Sequence, residues 1–236
     1  MKIISLNTNT WNHTLTKRPL NVRLSNILNS IDEENPDIVC LQEMKYGRNG
    51  KYAEQIKNEL PGYQIILPID FDVDEHSYSI ISIMLVKEKI DIDVKSVSDI
   101  ELTNRYNLVE IGDGLRILNI HIPQTSEFSG AAKWYVQERL RLAAQFWETV
   151  EKVSTTYQGK MIVVGDMNQN AHGAQLTSLQ ADGFTRLGYY DPEFIDHILL
   201  SPSADIYFKH KKLRVDDTIS TVDMYTDHPM LIANIA

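Results

Sequence analysis

The apolar residues of the chain fall mainly into short runs of strand length, rich in Ile and Val and separated by polar turns. Several of these runs alternate apolar and polar side chains, which is typical of strands. We predict strands at KIISLNT, DIVCLQE, YQIILP, IISIMLV, YNLVEI, LRILNIHI, MIVVGD, FIDHILL, ADIYF and MLIANI. The chain is therefore expected to be rich in β-structure.

Three other segments follow the helical period. In the first, apolar residues recur three and four positions apart, and Pro36 limits the end of the helix. These residues are Leu24, Ile27, Leu28 and Ile31. A second helix, ending near Gly159, carries an apolar stripe that we interpret as core packing, formed by Val136, Leu140, Ala143, Trp147 and Val150. A weaker helix is predicted over residues 51–60.

Many strands with few helices predict an α/β fold in which two packed sheets carry helices on the outside. The sequence contains no repeat, no low-complexity tract and no linker rich in Pro, Gly or Ser. We therefore expect one domain over residues 1–236. A chain of 236 residues can bury a substantial core without disulfides.

Composition places the chain among ordinary globular proteins, with 43% hydrophobic and 23% charged residues. Its one cysteine, Cys40, cannot form an internal disulfide, so nothing requires an oxidising compartment. The sequence shows no signal-peptide pattern and no apolar run long enough for a membrane span. We therefore expect a cytoplasmic location without a membrane span, and no protein partner follows from the sequence.

The net charge of −9 argues against a broad electrostatic contact with nucleic acid, which usually needs a basic face. It does not exclude a nuclease, because a bound metal ion brings positive charge to local carboxylates. The basic cluster at residues 209–214 has two interpretations, a phosphate contact or a strand edge protected by lysines. We favour the strand edge.

Polar side chains gather where the predicted strands end. In MIVVGDMNQN the apolar run stops at Gly165, and Asp166 and Asn168 follow two positions apart, so they can share one ligand. A simple turn is the alternative, since Gly, Asp and Asn are common turn residues. Polar residues also end two other predicted strands (Asn7, Gln42 and Glu43), lie within two more (Asn119 and His121, and Asp196) and immediately precede the last one (Asp227 and His228). Because buried polar groups without partners are costly, we interpret the set as one shared site.

The residue types in this set favour a particular chemistry. Glu43, Asp166 and Asp227 supply hard oxygen ligands, which suit Mg²⁺ or Mn²⁺ and not zinc. Asp196 can orient His228, the pairing that fixes a histidine tautomer. The sequence has neither a G-x-S-x-G elbow nor a phosphate-binding G-x-x-x-x-G-K-[ST] loop. The chemistry that these residues support is then metal-assisted attack of water on phosphorus.

The order of these motifs resembles the endonuclease/exonuclease/phosphatase superfamily, with its exonuclease III-like or deoxyribonuclease I-like fold. The matching motifs are Asn7, LQE (41–43), NIH (119–121), GDMN (165–168), IDH (195–197) and TDHP (226–229). The resemblance implies a four-layered α/β/β/α sandwich of two mixed sheets, with the site at one edge. It also implies a hydrolase that uses Mg²⁺ or Mn²⁺ to cleave a phosphodiester substrate such as DNA or RNA.

The resemblance implies a role for each matched position. Glu43 would be the principal metal ligand, assisted by Asn7 and Asp227. Asp166 would orient or deprotonate the attacking water, or else His228 would take that proton. The remaining implied roles are Asn168 bonding a phosphate oxygen, Asp196 pairing with His228, and His121 polarising the phosphate.

Three further residues are expected to contact substrate: Asn9, Asn119 and Gln124. Asn9 stands where nucleases of the superfamily often place a second carboxylate, and Gln124 lies in HIPQ, between the motifs of two branches. The segment between Asn168 and Ile195 is shorter than the DNA-engaging loop of abasic-site nucleases. A DNA-repair role is therefore less well supported than hydrolysis.

Several alternatives stay open. The first hypothesis is a nuclease, the second a phosphatase or phosphodiesterase for a small or lipid-derived phosphate ester, and the third a non-catalytic binding protein with the same fold. Trp11 and Trp134 have two interpretations, stacking a base or sugar and simple packing. DFDVDEH (70–76) lacks the Gly and Glu of a calcium loop and is interpreted as a solvated loop.

Overall fold

The computed structural model describes residues 1–10, 18–69, 80–125, 132–188, 191–221 and 225–236. The interpretations of Trp11 and of residues 70–76 lie outside these ranges. The strands are β1 (Lys2–Asn7), β2 (Ile38–Lys45), β3 (Tyr63–Ile66), β4 (Ile80–Lys87), β5 (Ile92–Lys95), β6 (Tyr106–Ile111), β7 (Leu115–His121), β8 (Met161–Asp166), β9 (Thr185–Arg186), β10 (Asp196–Leu200), β11 (Lys211–Asp216) and β12 (Met230–Ile235). The helices are α1 (Leu20–Glu34), α2 (Lys51–Glu59), α3 (Lys133–Thr156), α4 (Ala174–Ala181), α5 (Pro202–Tyr207) and α6 (Thr218–Thr221).

The described strands form two mixed sheets of six strands each, as the sequence predicts. The first has the order β11-β12-β1-β2-β4-β3, and the second has the order β5-β6-β7-β8-β10-β9. Consecutive residues of a strand pack on opposite faces of the sheet. Ile3 belongs to the core between the sheets, whereas Ile4 packs with Leu24 and Ile27 of α1. Strands buried on both faces explain the nearly continuous apolar runs of the sequence.

The outer face of the second sheet is covered by α3 and α4, through Phe146, Trp147 and Leu176. The molecule therefore has four layers, helix on sheet on sheet on helix. Side chains two positions apart in a strand lie on the same face, so one residue in the inter-sheet core identifies the others that face it. In β7, Ile117 lies in the inter-sheet core, so Asn119 and His121 also face the space between the sheets.

Strand directions bring the polar ends together. β1 runs parallel to β2 and β7 runs parallel to β8, so these strands end at one edge of the sandwich. β10 is antiparallel to β8 and β12 is antiparallel to β1, so both begin at that edge. The register pairs Asp196 directly with Asp166. The carboxyl ends of some strands and the amino ends of others therefore meet at one place.

The structure corrects two sequence predictions. ADIYF is not a strand, because α5 covers Pro202–Tyr207. Ser201 caps this helix by accepting a hydrogen bond from the Ala204 backbone N–H at 3.3 Å, with Pro202 at the first position. That Ser-Pro start is a helix signal, which outweighs the strand-like composition.

The apolar stripe of α3 is also shorter than predicted. Leu140 is 45% exposed, whereas Ala143 and Trp147 are buried. The first turns of α3 thus extend beyond the sheet that covers the rest of the helix.

The prediction of a lysine-protected strand edge is confirmed, since β11 (Lys211–Asp216) is an edge strand of the first sheet. The three predicted helices correspond to α1, α3 and α2. Sequence patterns did not indicate the short elements β5, β9, α4 and α6.

No helix within the described ranges is long and apolar enough to cross a membrane.

Candidate active site

The two sheets are joined at their shared edge by a hydrogen bond between Asn7 and Asp166. Asn7 Nδ2, at the end of β1, donates to Asp166 Oδ2 at 2.8 Å, and both residues are buried. Ile3 in β1 and Val164 in β8 lie in the inter-sheet core, so Asn7 and Asp166 continue the same inward-facing rows. The apolar core between the sheets therefore ends at the Asn7–Asp166 pair, where the inward-facing rows of β1 and β8 reach the edge.

Gly165 lets β8 end in this way. Its φ of +139° and its packing leave no room for a side chain, because a Cβ there would lie 2.0 Å from the Ile120 carbonyl oxygen. Asn168 then turns the chain with φ +48°, and its backbone N–H donates to Asp166 Oδ1 at 2.8 Å. The turn and the site are thus the same structure, and the two interpretations of this stretch do not exclude each other.

The second pair at the edge is His228 with Asp196. His228 Nδ1 lies 2.8 Å from Asp196 Oδ2, as the sequence indicated. Asp196 begins β10, so it lies at the end of its apolar run and not inside it. Burial lowers the pKa of His228, but the charge and hydrogen bond of Asp196, helped by Asp166 and Asp227, outweigh it and raise that pKa to about 10. His228 is therefore an imidazolium near neutral pH in the absence of a metal ion.

Asp166, Asp196 and His228 each place one possible ligand atom within 4.8 Å of the others. Burial raises the pKa of Asp166, and the nearby charge of Asp196 raises it further. His121, His228 and the Asn168 backbone N–H act in the opposite direction. Asp166 is therefore a more basic carboxylate than an exposed aspartate, while Asn7 and Asn168 fix its orientation.

Glu43 reaches the site because β2 is irregular. Strict alternation would send it to the α1 side, since Cys40 faces the other sheet and Leu41 faces the helix. The pairing of β2 with β4 shifts register between Leu41 and Met44, and Glu43 has φ +52°. This bulge turns its carboxylate toward the second sheet, where Glu43 Oε1 lies 3.2 Å from His121 Nε2.

His121 links Glu43 to the rest of the site. Its Nε2 is 3.9 Å from Asp166 Oδ2. Arg105 Nη1 lies close to both ring nitrogens, 3.1 Å from His121 Nδ1 and 3.3 Å from Nε2. Glu43, Asp166 and His228 therefore lie in one neighbourhood, connected through His121 and Asp196.

Asp227 approaches from the loop before β12 and is held by Asn9. Asn9 Nδ2 donates to Asp227 Oδ1 at 2.6 Å, and that oxygen lies 3.8 Å from His228 Nε2. The buried guanidinium of Arg23 donates to the backbone oxygen of Asn9 at 3.1 Å and to that of Tyr225 at 2.7 Å. Arg23 thus ties together the loops that carry Asn9 and Asp227.

Asn119 is the predicted substrate-binding residue that the structure places away from the cleft. It is fully buried between the sheets, where Gln42 Nε2 donates to its Oδ1 at 2.7 Å. Its own Nδ2 donates to Asn107 Oδ1 at 3.0 Å and to the Ile83 carbonyl at 3.1 Å. Asn119 and Gln42 thus form a polar contact between the sheets. In β7, Asn119 is the inward-facing residue that precedes His121, so the contact lies deeper in the core than the site.

Gln124 and Trp134 lie at the surface near the same edge. Gln124 is exposed and lines a cavity with Glu43 and His121. Trp134 is 71% exposed, and its ring contacts that of Tyr135 edge-on, with the ring centres 6.0 Å apart.

Sequence reasoning missed Arg23, Arg105 and Thr226 as parts of the site. Thr226 Oγ1 donates to the Asn7 carbonyl at 2.7 Å and accepts from the His228 backbone N–H at 3.2 Å. Arg105 was detectable in principle, because it precedes β6, and β6 begins at the edge where its antiparallel neighbour β7 ends.

Comparison with known families decides the classification. The profile of the Endonuclease/Exonuclease/phosphatase family matches residues 6–228. This chain belongs to the endonuclease/exonuclease/phosphatase family. The match begins just before Asn7 and ends at His228, so it includes every predicted site residue. The activities that give this family its name all cleave phosphoester bonds.

Solved structures share the family fold at low sequence identity. An AP endonuclease from Archaeoglobus fulgidus has a TM-score of 0.65 and 18% identity, covering 100% of this chain and 99% of that one. A single-residue variant of the 3′ phosphatase NExo from Neisseria, bound to product DNA hairpin, has a TM-score of 0.65 and 19% identity, covering 100% and 99%. A humanized TDP2 from D. rerio has a TM-score of 0.65 and 14% identity, covering 100% and 98%. No curated protein sequence matches the chain.

The residues at the edge fit a divalent cation. They present carboxylate and amide oxygens, which are the ligands that hard cations prefer. Asn9 Oδ1 is buried without a hydrogen-bond partner among the described residues, although its Nδ2 holds Asp227. A buried oxygen left without a donor beside a carboxylate is what a nearby cation would satisfy.

Proposed function

We propose that this protein is a divalent-metal-dependent phosphodiesterase that acts on nucleic acid. The observation that carries the proposal is the position of Asp166, which Asn7 holds from the opposite sheet at 2.8 Å and which lies within 4.8 Å of the His228–Asp196 pair. A basic carboxylate beside an imidazolium supplies a proton acceptor and a positive charge at one point. Phosphoester hydrolysis by water needs both.

The metal would be held by Glu43, Asn7 and Asp227, with Mg²⁺ or Mn²⁺ as the ion that their oxygens suit. When bound, such an ion neutralises charge on the phosphate and makes phosphorus more open to attack. This assignment uses residues from three separate strands or loops, which the fold brings to the same edge.

Asp166 is the residue that we propose to accept the proton of the attacking water. Its raised pKa makes it a stronger base than an exposed carboxylate, whereas His228 already carries a proton at neutral pH. These two pKa shifts support Asp166, of the two bases that the sequence left open. His228 would donate a hydrogen bond from Nε2 to the phosphate and offset its negative charge, with Asp196 fixing the ring.

Two further residues would hold the phosphate. Asn168 Nδ2 donates one hydrogen to the Ile122 carbonyl at 2.7 Å, which fixes the amide and leaves its second hydrogen for a phosphate oxygen. His121, which contacts both Glu43 and Arg105, would face the phosphate from the other side.

The proposal is tested by incubating the purified protein with Mg²⁺, Mn²⁺ or a chelator. The substrates are single- and double-stranded DNA and RNA, nucleotides and phospholipid headgroup esters. We expect cleavage of polymers that needs the metal and falls by about 100- to 10,000-fold in Asp166→Asn and His228→Ala. Thermal unfolding of each variant shows whether it is folded.

Other outcomes have clear meanings. Release of phosphate from small or lipid-derived esters alone would support the second hypothesis of the sequence analysis. Turnover in folded Asp166→Asn equal to that of the wild type would refute the assignment of the base. The absence of hydrolysis with every substrate and metal would favour a non-catalytic binding protein.

A further inference from the structure

A layer of polar side chains lies between the two sheets, one inward position deeper than the candidate active site. Ser5 precedes Asn7 in the inward-facing row of β1, and Asn119 precedes His121 in that of β7. The other buried members of the layer are Gln42 of β2, Ser82 of β4 and Asn107 of β6. Because polar groups are costly to bury, a layer drawn from five strands needs a physical reason.

Gln42 is the centre of this layer. Its Nε2 donates to Asn119 Oδ1 at 2.7 Å and lies 3.2 Å from the Cys40 carbonyl oxygen and 3.3 Å from Ser5 Oγ. The two carbonyl oxygens fix the orientation of the amide, since a flipped amide would place its own oxygen against them. Asn119 is fixed in turn, because its Nδ2 donates to Asn107 Oδ1 at 3.0 Å. The bond between Gln42 and Asn119 thus joins β2 of the first sheet to β7 of the second at a defined distance.

This bond repeats, one row deeper, the contact between Glu43 and His121. Glu43 directly follows Gln42, and His121 lies two positions after Asn119. Both contacts join β2 to β7, and Glu43 Oε1 lies 3.2 Å from His121 Nε2. Because one peptide unit separates Gln42 from Glu43, a shift of the Gln42 side chain is passed on to the Glu43 carboxylate.

Glu43 depends on support from its surroundings, because its backbone conformation is unfavourable. Its φ of +52° lies in the left-handed region, which residues with a side chain adopt only where the surrounding structure holds them. On the backbone side, the Glu43 carbonyl accepts from Thr10 Oγ1 at 2.7 Å, and the Gln42 carbonyl accepts from the Thr8 backbone N–H at 2.9 Å. On the side-chain side, the bond from Gln42 to Asn119 holds the bulge toward the second sheet.

Two atoms near the bulge show that the layer does not serve stability alone. Gln42 Oε1 and Ser82 Oγ are buried without a hydrogen-bond partner among the described residues. Strand pairing shifts between Leu41, opposite Ile83, and Met44, opposite Ile81, so Ser82 faces the bulge. Apolar residues of the same shape avoid the cost of such unpaired groups. The direction that Gln42 gives to Glu43 accounts for an amide at this position.

We propose that Gln42 is a positioning residue, which acts through Asn119 to hold the Glu43 carboxylate where a divalent cation would bind. The inference rests on the proposed function, which assigns Glu43 to the metal. Breaking the contact leaves Glu43 in the chain but removes the restraint on its carboxylate, so the metal ion should bind more weakly. Residues that orient a metal ligand typically contribute about 10- to 100-fold to metal affinity.

The test measures the dissociation constant of Mn²⁺ without substrate, by electron paramagnetic resonance of the free ion. Gln42→Met keeps the approximate volume of the side chain and removes its hydrogen bonds, and we expect Mn²⁺ to bind about 10- to 100-fold more weakly. Asn119→Ala should weaken binding to a similar extent. The double variant should bind no more weakly than either single variant, because both changes break the same contact.

Val86→Ala is the matched control for stability. Val86 belongs to the same inter-sheet core but pairs with Ile38, at the other end of β2 from Glu43. Thermal unfolding should show a loss of stability in Val86→Ala and in Gln42→Met, whereas the affinity for Mn²⁺ should fall only in Gln42→Met. Gln42→Asn is the second variant if Gln42→Met does not fold, and it should lose affinity because its amide is one methylene shorter.

Three results would overturn the inference. They are wild-type affinity for Mn²⁺ in a folded Gln42 variant, an equal loss of affinity in Val86→Ala, and additive losses in the double variant. Each would show that Gln42 does not act on the metal ligand through Asn119.

Hydrolysis separates this inference from the proposed function. In a wild type that cleaves nucleic acid, Gln42→Met should raise the Mn²⁺ concentration needed for the half-maximal rate and recover most of kcat at saturating Mn²⁺. A wild type that binds Mn²⁺ but hydrolyses no substrate refutes the proposed function, while the measured affinities still decide the role of Gln42. A wild type that binds no Mn²⁺ refutes both.

Discussion

Asn7 Nδ2 and Asp166 Oδ2 are hydrogen-bonded at 2.8 Å, although the two residues belong to different sheets and lie 159 positions apart in the chain. The contact does two things. It satisfies a buried carboxylate, and it fixes the distance between the sheets where the proposed substrate would bind. A change at Asn7 should therefore affect Asp166 before it affects anything else.

Asn7→Asp should be more damaging than Asn7→Ala. The aspartate would place a second carboxylate against Asp166, and two carboxylates at this distance cannot both be ionised at low cost. We expect the acidic limb of the pH–rate profile to move to higher pH and kcat at pH 7 to fall by at least about 100-fold. Steady-state rates from pH 5 to pH 9 measure this. An alanine variant with an equal loss and the same profile would contradict the electrostatic explanation.

Asp196→Asn should lower the pKa of His228. The carboxylate of Asp196 is the main group that raises this pKa to about 10, and burial continues to disfavour the imidazolium once that charge is removed. In metal-free protein, the NMR signal of the imidazole should therefore titrate well below pH 10 in this variant. In the wild type it should stay protonated until the pH approaches 10.

Asp227→Asn provides the comparison for that experiment. Asp227 Oδ1 is 3.8 Å from His228 Nε2, and its side chain is 46% exposed, so solvent screens its charge. The pKa of His228 should fall much less in this variant than in Asp196→Asn. A similar fall in both would mean that the hydrogen bond to Asp196 has no special effect.

His197 should make the fold sensitive to acid. It is fully buried with Nε2 2.8 Å from the Gln169 carbonyl, and burial lowers its pKa to about 4. The unfolded chain binds a proton near pH 6.5, but the native chain does not bind it until the pH nears 4. Stability contributed by the neutral ring is therefore complete above pH 6.5 and is lost as the pH falls toward 4, by up to about 3 kcal/mol.

Urea unfolding at pH 7.5 and pH 5 measures this contribution. His197→Gln removes the titrating group, so its free energy of unfolding should change less between the two pH values than that of the wild type. Other titrating groups are common to both proteins and cancel in the comparison. An equal change in both proteins would show that His197 has no part in the acid sensitivity.

Gly165→Ala should disrupt the end of β8. The added Cβ would meet the backbone oxygen of Ile120 at 2.0 Å, and φ is +139°. We expect a loss of about 3 kcal/mol or more in the free energy of unfolding. Gly62→Ala is the control, because nothing lies within 4 Å of the position of its Cβ. Calorimetric melting of the two variants should differ clearly, and similar melting temperatures would contradict this account.

Much of the fold was predictable because both faces of most strands are buried. Such strands read as apolar runs, and most were recognised within one or two residues. The exceptions were short elements, such as β9 (Thr185–Arg186), which are too brief to show a period. ADIYF was mistaken for a strand because local composition conceals a cap that depends on Ser201 and Pro202.

The sequence by itself determined which residues share a face of each strand, since side chains two positions apart point the same way. It places Asp166 after Val164 and His121 after Asn119. Only the tertiary structure decided how far along each row the cleft begins, which leaves His121 at the edge and Asn119 inside. It also decided that a bulge turns Glu43 toward the site, because strand pairing with β4 sets that irregularity and no local pattern in LQE encodes it. Arg105 and Arg139 line the same cavity for the same reason: this depends on how two elements pack together, which sequence spacing does not show.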